Sequence, residues 1–119
     1  MAALVQPLYY LHTMPDQKKT RRELLESFVA QKPDDAFSRY GLAMECINSG
    51  DAAAAESNFN ELLQRNPDYV PAYLMFAQML AKASRPDDAR GVLTKGMAAA
   101  NKAGNSHALS EMESLLNEL

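Results

Sequence analysis

Residues 61–78, "ELLQRNPDYVPAYLMFAQ", set two prolines four residues apart, Pro67 and Pro71, between two runs with helical patterning. A proline inside a helix removes one hydrogen bond and clashes with the preceding turn, a cost of about 3 kcal/mol. One helix therefore does not cross this segment. As a junction it is self-consistent: Pro67 closes the first helix, Asp68 caps the second with its carboxylate, and Pro71 falls in the first turn, where its missing N–H would be unpaired anyway. The same junction stands 34 residues earlier, as Pro33-Asp34 in "AQKPDDAFSRYGLA", residues 30–43. That lag also superposes Phe28 on Leu62, Val29 on Leu63, Leu42 on Phe76, Ala43 on Ala77, Ala55 on Ala89, Phe59 on Leu93 and Gly50 on Ser84. A recurrence of this length marks stacked helical repeats.

The elements follow from the lag. The pattern predicts helices over 16–32 (Leu24, Leu25, Phe28 and Val29 on one face), over 35–49 (Tyr40, Leu42, Ala43, Cys46 and Ile47), and from Asp51 onward with Ala55, Phe59, Leu62 and Leu63 packing. A fourth covers 70–83. A fifth opens at "RPDDA", with Pro86 in its first turn and Asp87 and Asp88 at the positive end of its dipole, and stops near Gly104. The sixth begins at Asn105 or Ser106 and carries Leu109, Met112, Leu115, Leu116 and Leu119 as one apolar stripe. The length of 119 residues suits one domain, and 47% apolar residues suffice for a core. A plentiful supply of Ala and Met favours packed helices over sheets.

In this register the chain resembles the tetratricopeptide-repeat family, and in particular its small bacterial members. That family's unit is 34 residues, a helix A packed antiparallel on a helix B. Leu42-Ala43 stands where the family has Leu-Gly, followed by Gly50, by "AESNF" on its Ala-x-x-x-Phe, and by Pro67. The second unit has Tyr73 at an aromatic position, Phe76-Ala77, and "ARGVL" with Ala89 and Leu93. The resemblance implies an all-α superhelix of about two and a half repeats. It divides as an N-terminal extension (1–15) and a repeat domain (16–119), the latter made of a half repeat (16–35), units 36–69 and 70–103, and a capping helix (105–119). Two departures stand out: Arg39 occupies the first unit's large apolar position, and Asn101 replaces the second unit's closing proline, which predicts a longer fifth helix. The small residues serve the crossings. Ala43, Ala55, Ala77 and Ala89 let A and B helices approach closely, and a bulky change at Ala55 is expected to cost about 1–3 kcal/mol.

The chemistry-bearing residues are sparse. No Ser, Cys or His has the spacing of a nucleophile beside its base, so no catalysis is expected. Cys46 reads as a small buried apolar residue, and as the single cysteine it cannot form an intramolecular disulfide, in keeping with a reducing compartment and a cytoplasmic location. His12 and His107 read as surface residues, and with one Cys they make a poor metal set; no cofactor is expected. The basic run "KKTRR", residues 18–22, reads as a solvated helix face balanced by Glu23 and Glu26. A net charge of −3, with no aromatics interleaving that run, excludes a nucleic-acid platform. No run approaches the roughly 20 apolar residues of a membrane span, and "MAALVQPLYYLHTMP" lacks the basic start of a signal peptide.

The family resemblance implies a function: its A helices line a concave surface that holds extended or helical peptides. Carried over position by position, the lining is Phe37, Tyr40, Met44, Ile47 and Asn48, then Leu74, Gln78, Ala81 and Lys82. Tyr40 and Met44 stand where some relatives place the Lys-Asn pair that clamps a peptide's terminal carboxylate, so this lining is apolar instead. The expected activity is non-catalytic binding of a protein or peptide partner. The alternative is a scaffold that self-associates as a homodimer through the groove and the apolar segment 4–14, "LVQPLYYLHTM"; its Pro7-to-Thr13 stretch could equally stand in for the missing first helix A.

Overall fold

The structure, a computed structural model, describes residues 19–119. They form six α-helices and, among the described residues, no strand: α1 (Arg21–Gln31), α2 (Ala36–Asn48), α3 (Ala52–Arg65), α4 (Val70–Lys82), α5 (Pro86–Lys102) and α6 (Ser106–Glu118). Each helix packs on the next, and α4 also reaches α6 past the intervening α5. The expectations for the extension, for Pro7 to Thr13 and for His12 lie outside the described residues.

The first helix starts later than its pattern suggested. Thr20 and Glu23 form a capping box: the Glu23 N–H donates to Thr20 Oγ1 at 3.1 Å, and the Thr20 N–H donates to Glu23 Oε1 at 3.2 Å. Two end groups are satisfied at once, which fixes the helix start at Arg21 and not at 16. At the decisive junction Pro71 does lie in the first turn of α4, but Tyr69 is the N-cap and no side chain bonds there. Asp68 stands one residue before that N-cap; its carboxylate faces Lys102 Nζ at 3.7 Å.

The helix ends repeat as faithfully as the sequence. The N–H of Asp51 donates to the Cys46 carbonyl, that of Arg85 to Leu80 and that of Asn105 to Ala100, each at 2.9 Å. This bond wraps the chain back over the last turn and requires a left-handed residue before it. Gly50 (φ 78°) and Gly104 (φ 67°) supply that conformation at low cost, and Ser84 adopts it (φ 60°) at the register position of Gly50. Asp51 and Asn105 then cap the following helices by accepting from the N–H groups of Ala54 and Ala108. α5 runs 17 residues against 14 in α3, as the loss of the closing proline predicts.

The core lies along the A–B crossings. Ala43, Ala55, Ala77 and Ala89 are all fully buried, and Phe59 stacks on Phe76 with ring centroids 5.1 Å apart and planes 11° from parallel. Leu62, Leu93 and Cys46 complete it. The lag also explains Arg39. Its guanidinium donates to the Pro33 carbonyl at 3.1 Å, and at the equivalent place the Tyr73 hydroxyl donates to the Pro67 carbonyl at 2.7 Å. Both side chains tie helix A to the proline before it, so the first unit keeps the bond while losing the ring.

The two ends of the array differ. At the C-terminal end α6 seats Met112 fully inside, with Leu109, Leu115, Leu116 and Leu119 half-buried against α5 and α4. At the other end the expected packing face is only partly covered: α1 buries no residue fully, and Phe28 is 51% exposed and Leu24 43%. The register equivalents explain the difference. Leu62, at the position of Phe28, is fully buried because α3 lies between α2 and α4, whereas α1 has only α2 beside it among the described residues.

Candidate binding surface

Tyr40 and Leu74 meet in a concavity of about 250 Å³, with Val70, Pro71 and Met75 from α4 and with Ala108, Glu111 and Met112 from α6. Ile47, Gln78 and Lys82 share a second concavity of about 540 Å³. Its floor is Met75, Met79 and Leu80, and its far wall is Ala52, Ala53 and Glu56 at the start of α3, with Arg85 beyond. Met75 lines both, so the two hollows neighbour each other along α4. Phe37 stands apart. It is 76% exposed and lines a third hollow, about 480 Å³, with Leu25, Phe28 and Gly41 at the α1 end. Met44 packs half-buried against the core, Ala81 likewise, and Asn48 is exposed; none of the three lines these hollows.

Position-by-position carry-over named the A-helix residues and missed what stands between them. Met75 and Met79, one turn apart on α4, and Ala52, Ala53 and Glu56 on a B helix make more than a third of the larger hollow's wall. The Met75/Met79 spacing of i, i+4 was visible as an apolar stripe beside Leu74 and Gln78, whereas nothing in the periodicity of α3 shows that its first turn faces α4.

The surface is apolar with a few placed polar groups. Arg85 is held on both sides, Nη1 by Glu56 Oε1 and Nε by Asp88 Oδ2, each at 2.8 Å, and these partners raise its already high pKa. Lys82 has no counter-ion among the described residues, and the half-buried Gln78 amide has no partner among them. In the smaller hollow His107 Nε2 lies 2.9 Å from Glu111 Oε1. The Tyr40 ring leans on Tyr69 (5.4 Å, 47°), and burial, then Tyr69, pushes the Tyr40 hydroxyl pKa up. It stays a neutral phenol.

The remaining candidates fall into structural roles. Cys46 is fully buried, and burial first of all pushes its thiol up, away from the thiolate that reactivity needs. In the basic run Arg22 pairs with Asp51 at 3.0 Å and with Glu26 at 3.7 Å, Arg21 approaches Glu45 at 3.9 Å, and Lys19 Nζ reaches Ser27 Oγ at 3.3 Å. Among the described residues no His, Cys, Asp and Glu cluster could hold a metal ion, and no helix is long and apolar enough to cross a membrane.

Comparison with known proteins meets this geometry. A family model described as Tetratricopeptide repeat matches residues 47–112. A TPR repeat-containing protein of Pseudomonas aeruginosa is 28% identical over 97 residues, which are 82% of this chain and 92% of that relative. The solution structure of a tetratricopeptide repeat domain protein from Salinibacter ruber superposes with a TM-score of 0.69 at 32% identity, covering 73% of this chain and 88% of the other. The translocator chaperone SycD of Yersinia enterocolitica type III secretion superposes with a TM-score of 0.74 over 98% of this chain and 78% of its own, at 14% identity, a likeness of fold alone.

Proposed function

The chain belongs to the tetratricopeptide-repeat family, whose members are generally non-catalytic scaffolds for protein–protein interaction, and on that footing we propose that it holds a partner protein or peptide in the trough along α4. The supporting observation is the pair of apolar concavities that share Met75 as a lining residue, with α2 and α4 contributing to both, α3 to the larger and α6 to the smaller. Large apolar concavities with few polar groups are where ligands bind. Methionines line this one, and their unbranched, polarizable side chains adapt to varied partner surfaces. Units 36–69 and 70–103 supply the walls, the half repeat ahead of them and the helix from 105 close the two ends, and the unpaired thiol of Cys46 suits a cytoplasmic setting. Double substitution Tyr40→Ser and Leu74→Ser, at two residues that line the smaller hollow, is expected to abolish capture of a partner from native lysate with little change in melting temperature, because both side chains are only partly buried. Undiminished capture by a folded double variant would remove the groove from consideration.

A second reading, self-association of two copies, has one observation in its favour. Phe28 and Phe37 are exposed around the hollow of about 480 Å³ at the α1 end, and Leu24 is exposed on the same helix as Phe28. Size-exclusion chromatography with light scattering decides it: a dimer that reverts to monomer on Phe28→Ser and Phe37→Ser supports the self-association, and a monomeric parent chain rules it out. The same measurement without residues 1–14 shows whether the expected N-terminal segment takes part.

A further inference from the structure

We propose that the larger hollow recognises an extended peptide segment in which a large aliphatic side chain is followed by an aspartate or glutamate, the aliphatic group resting on Met75 and Met79 and the carboxylate meeting Lys82. The proposal rests on the groove reading above and gives its partner a chemistry. The floor is apolar: Ile47, Met75, Met79 and Leu80. Of the three charged side chains on its wall, two are spent on each other, since Arg85 is bidentate to Glu56 (2.8 and 2.9 Å) and also bound to Asp88. Lys82 is left with no counter-ion among the described residues. An uncommitted ammonium at the rim of an apolar hollow, in a chain that carries −3 overall, is a local reversal of sign that selects an acidic partner. One turn before it the Gln78 amide has no partner among the described residues and offers a donor and an acceptor at the spacing a peptide bond needs.

The trough sets the form of the segment. From Pro71 to Lys82 the helix rises roughly 16 Å, the span of about five extended residues. Because Met75 lines both hollows, a segment resting on it in the larger one lies beside the smaller one. A chain terminus is held by several converging donors; a single exposed ammonium suits a side-chain carboxylate that stays partly in water.

The test uses end-blocked, fluorescein-labelled heptapeptides with a central Leu-Leu-Asp, and the same peptides with Asn or Lys in place of Asp, measured by fluorescence anisotropy at low salt. A further peptide ends at Leu-Leu with a free carboxylate. The Asp peptide is expected to bind the full chain roughly fivefold more tightly than the Asn peptide, the size of one rim ion pair. In Lys82→Glu, an exposed change that leaves the core alone, the order should reverse in favour of the Lys peptide. Equal binding of Asp and Asn peptides, no binding of any of them, an unaltered order in Lys82→Glu, or tightest binding by the free-carboxylate peptide would each overturn the proposal. The groove reading is judged separately by the loss of partner capture in the Tyr40 and Leu74 variant, so either can fail without the other.

Discussion

A Cβ placed on Gly96 would lie 2.5 Å from the Cβ of Tyr73 and 2.8 Å from the Sδ of Met112. Three helices meet there with no room for a methyl group. Gly96→Ala should therefore destabilise the protein by about 1–3 kcal/mol through overpacking. Gly91, one turn earlier on the same helix, meets nothing within 4 Å, so Gly91→Ala should stabilise by about 0.5–1 kcal/mol through helix propensity alone. Urea denaturation of the two variants should thus move in opposite directions. The 34-residue lag sets Gly96 against Leu62, a residue without a side chain against a large one. The reason becomes visible only beside Arg39 and Tyr73: the second unit carries a ring on helix A and gives up bulk on helix B. Tyr73→Phe should cost about 1 kcal/mol, because the hydrogen bond from its hydroxyl to the Pro67 carbonyl is lost. The alanines at the crossings were legible in advance because smallness at all four of them has one geometric reason; a traded pair of large and small residues has no signature in a single sequence.

At the scale of the helix, capping and end contacts decide what each element contributes. Asp51 caps α3 and pairs with Arg22, and the Ala54 N–H first, then the guanidinium, hold its carboxyl below the usual aspartate range. A carboxyl whose pKa is depressed on folding contributes stability above its unfolded value, near pH 4, and loses it as pH falls through the folded value. Asp51→Asn keeps a capping oxygen and removes the charge. The variant should therefore lose less stability than the parent chain between pH 5 and pH 2, read as a shallower acid limb in thermal melts. α6 is a second case. It covers the junction of Tyr73, Gly96 and Met112 and forms one wall of the smaller hollow, so a chain ending at residue 105 should lose its cooperative melt or aggregate; a soluble truncation with a sharp transition would contradict its capping role. Its apolar stripe was readable from spacing, but how much of the stripe is covered was not: four of its five residues stay half-buried because, among the described residues, α5 and α4 pack against one side of the helix. The same holds for α1, whose apolar face looks in sequence like that of α3 and differs only in having one neighbour.

At the scale of the whole molecule the helix pairs are joined by ion pairs that share a register and alternate in sign. Arg22 meets Asp51 across the first joint at 3.0 Å; 34 residues on, Glu56 meets Arg85 across the second at 2.8 Å. Acid and base have exchanged sides. Arg85→Glu alone should lower the melting temperature by setting two carboxylates face to face, and adding Glu56→Arg should restore it; salt should shrink the difference, since both pairs are partly solvated. The architecture, the helix count and the joints were all legible in the sequence, because periodicity and punctuation are local. The trough was legible only in part: six of the nine residues expected to line it face hollows, and of these Phe37 faces a different one. Its floor and far wall depend on how one unit is turned against the next, an angle that no single unit encodes.

The alternating polarity also bears on how such a gene can grow. Copying one 34-residue unit in tandem would bring Glu56 against a second Asp51, and losing that unit would bring Arg22 against Arg85, so either single-step event starts with repulsion. Copying both units together would set Arg90, at the next register position after Glu56, against Asp51, which attract. By charge alone, a lineage of this chain should therefore lengthen by pairs of units.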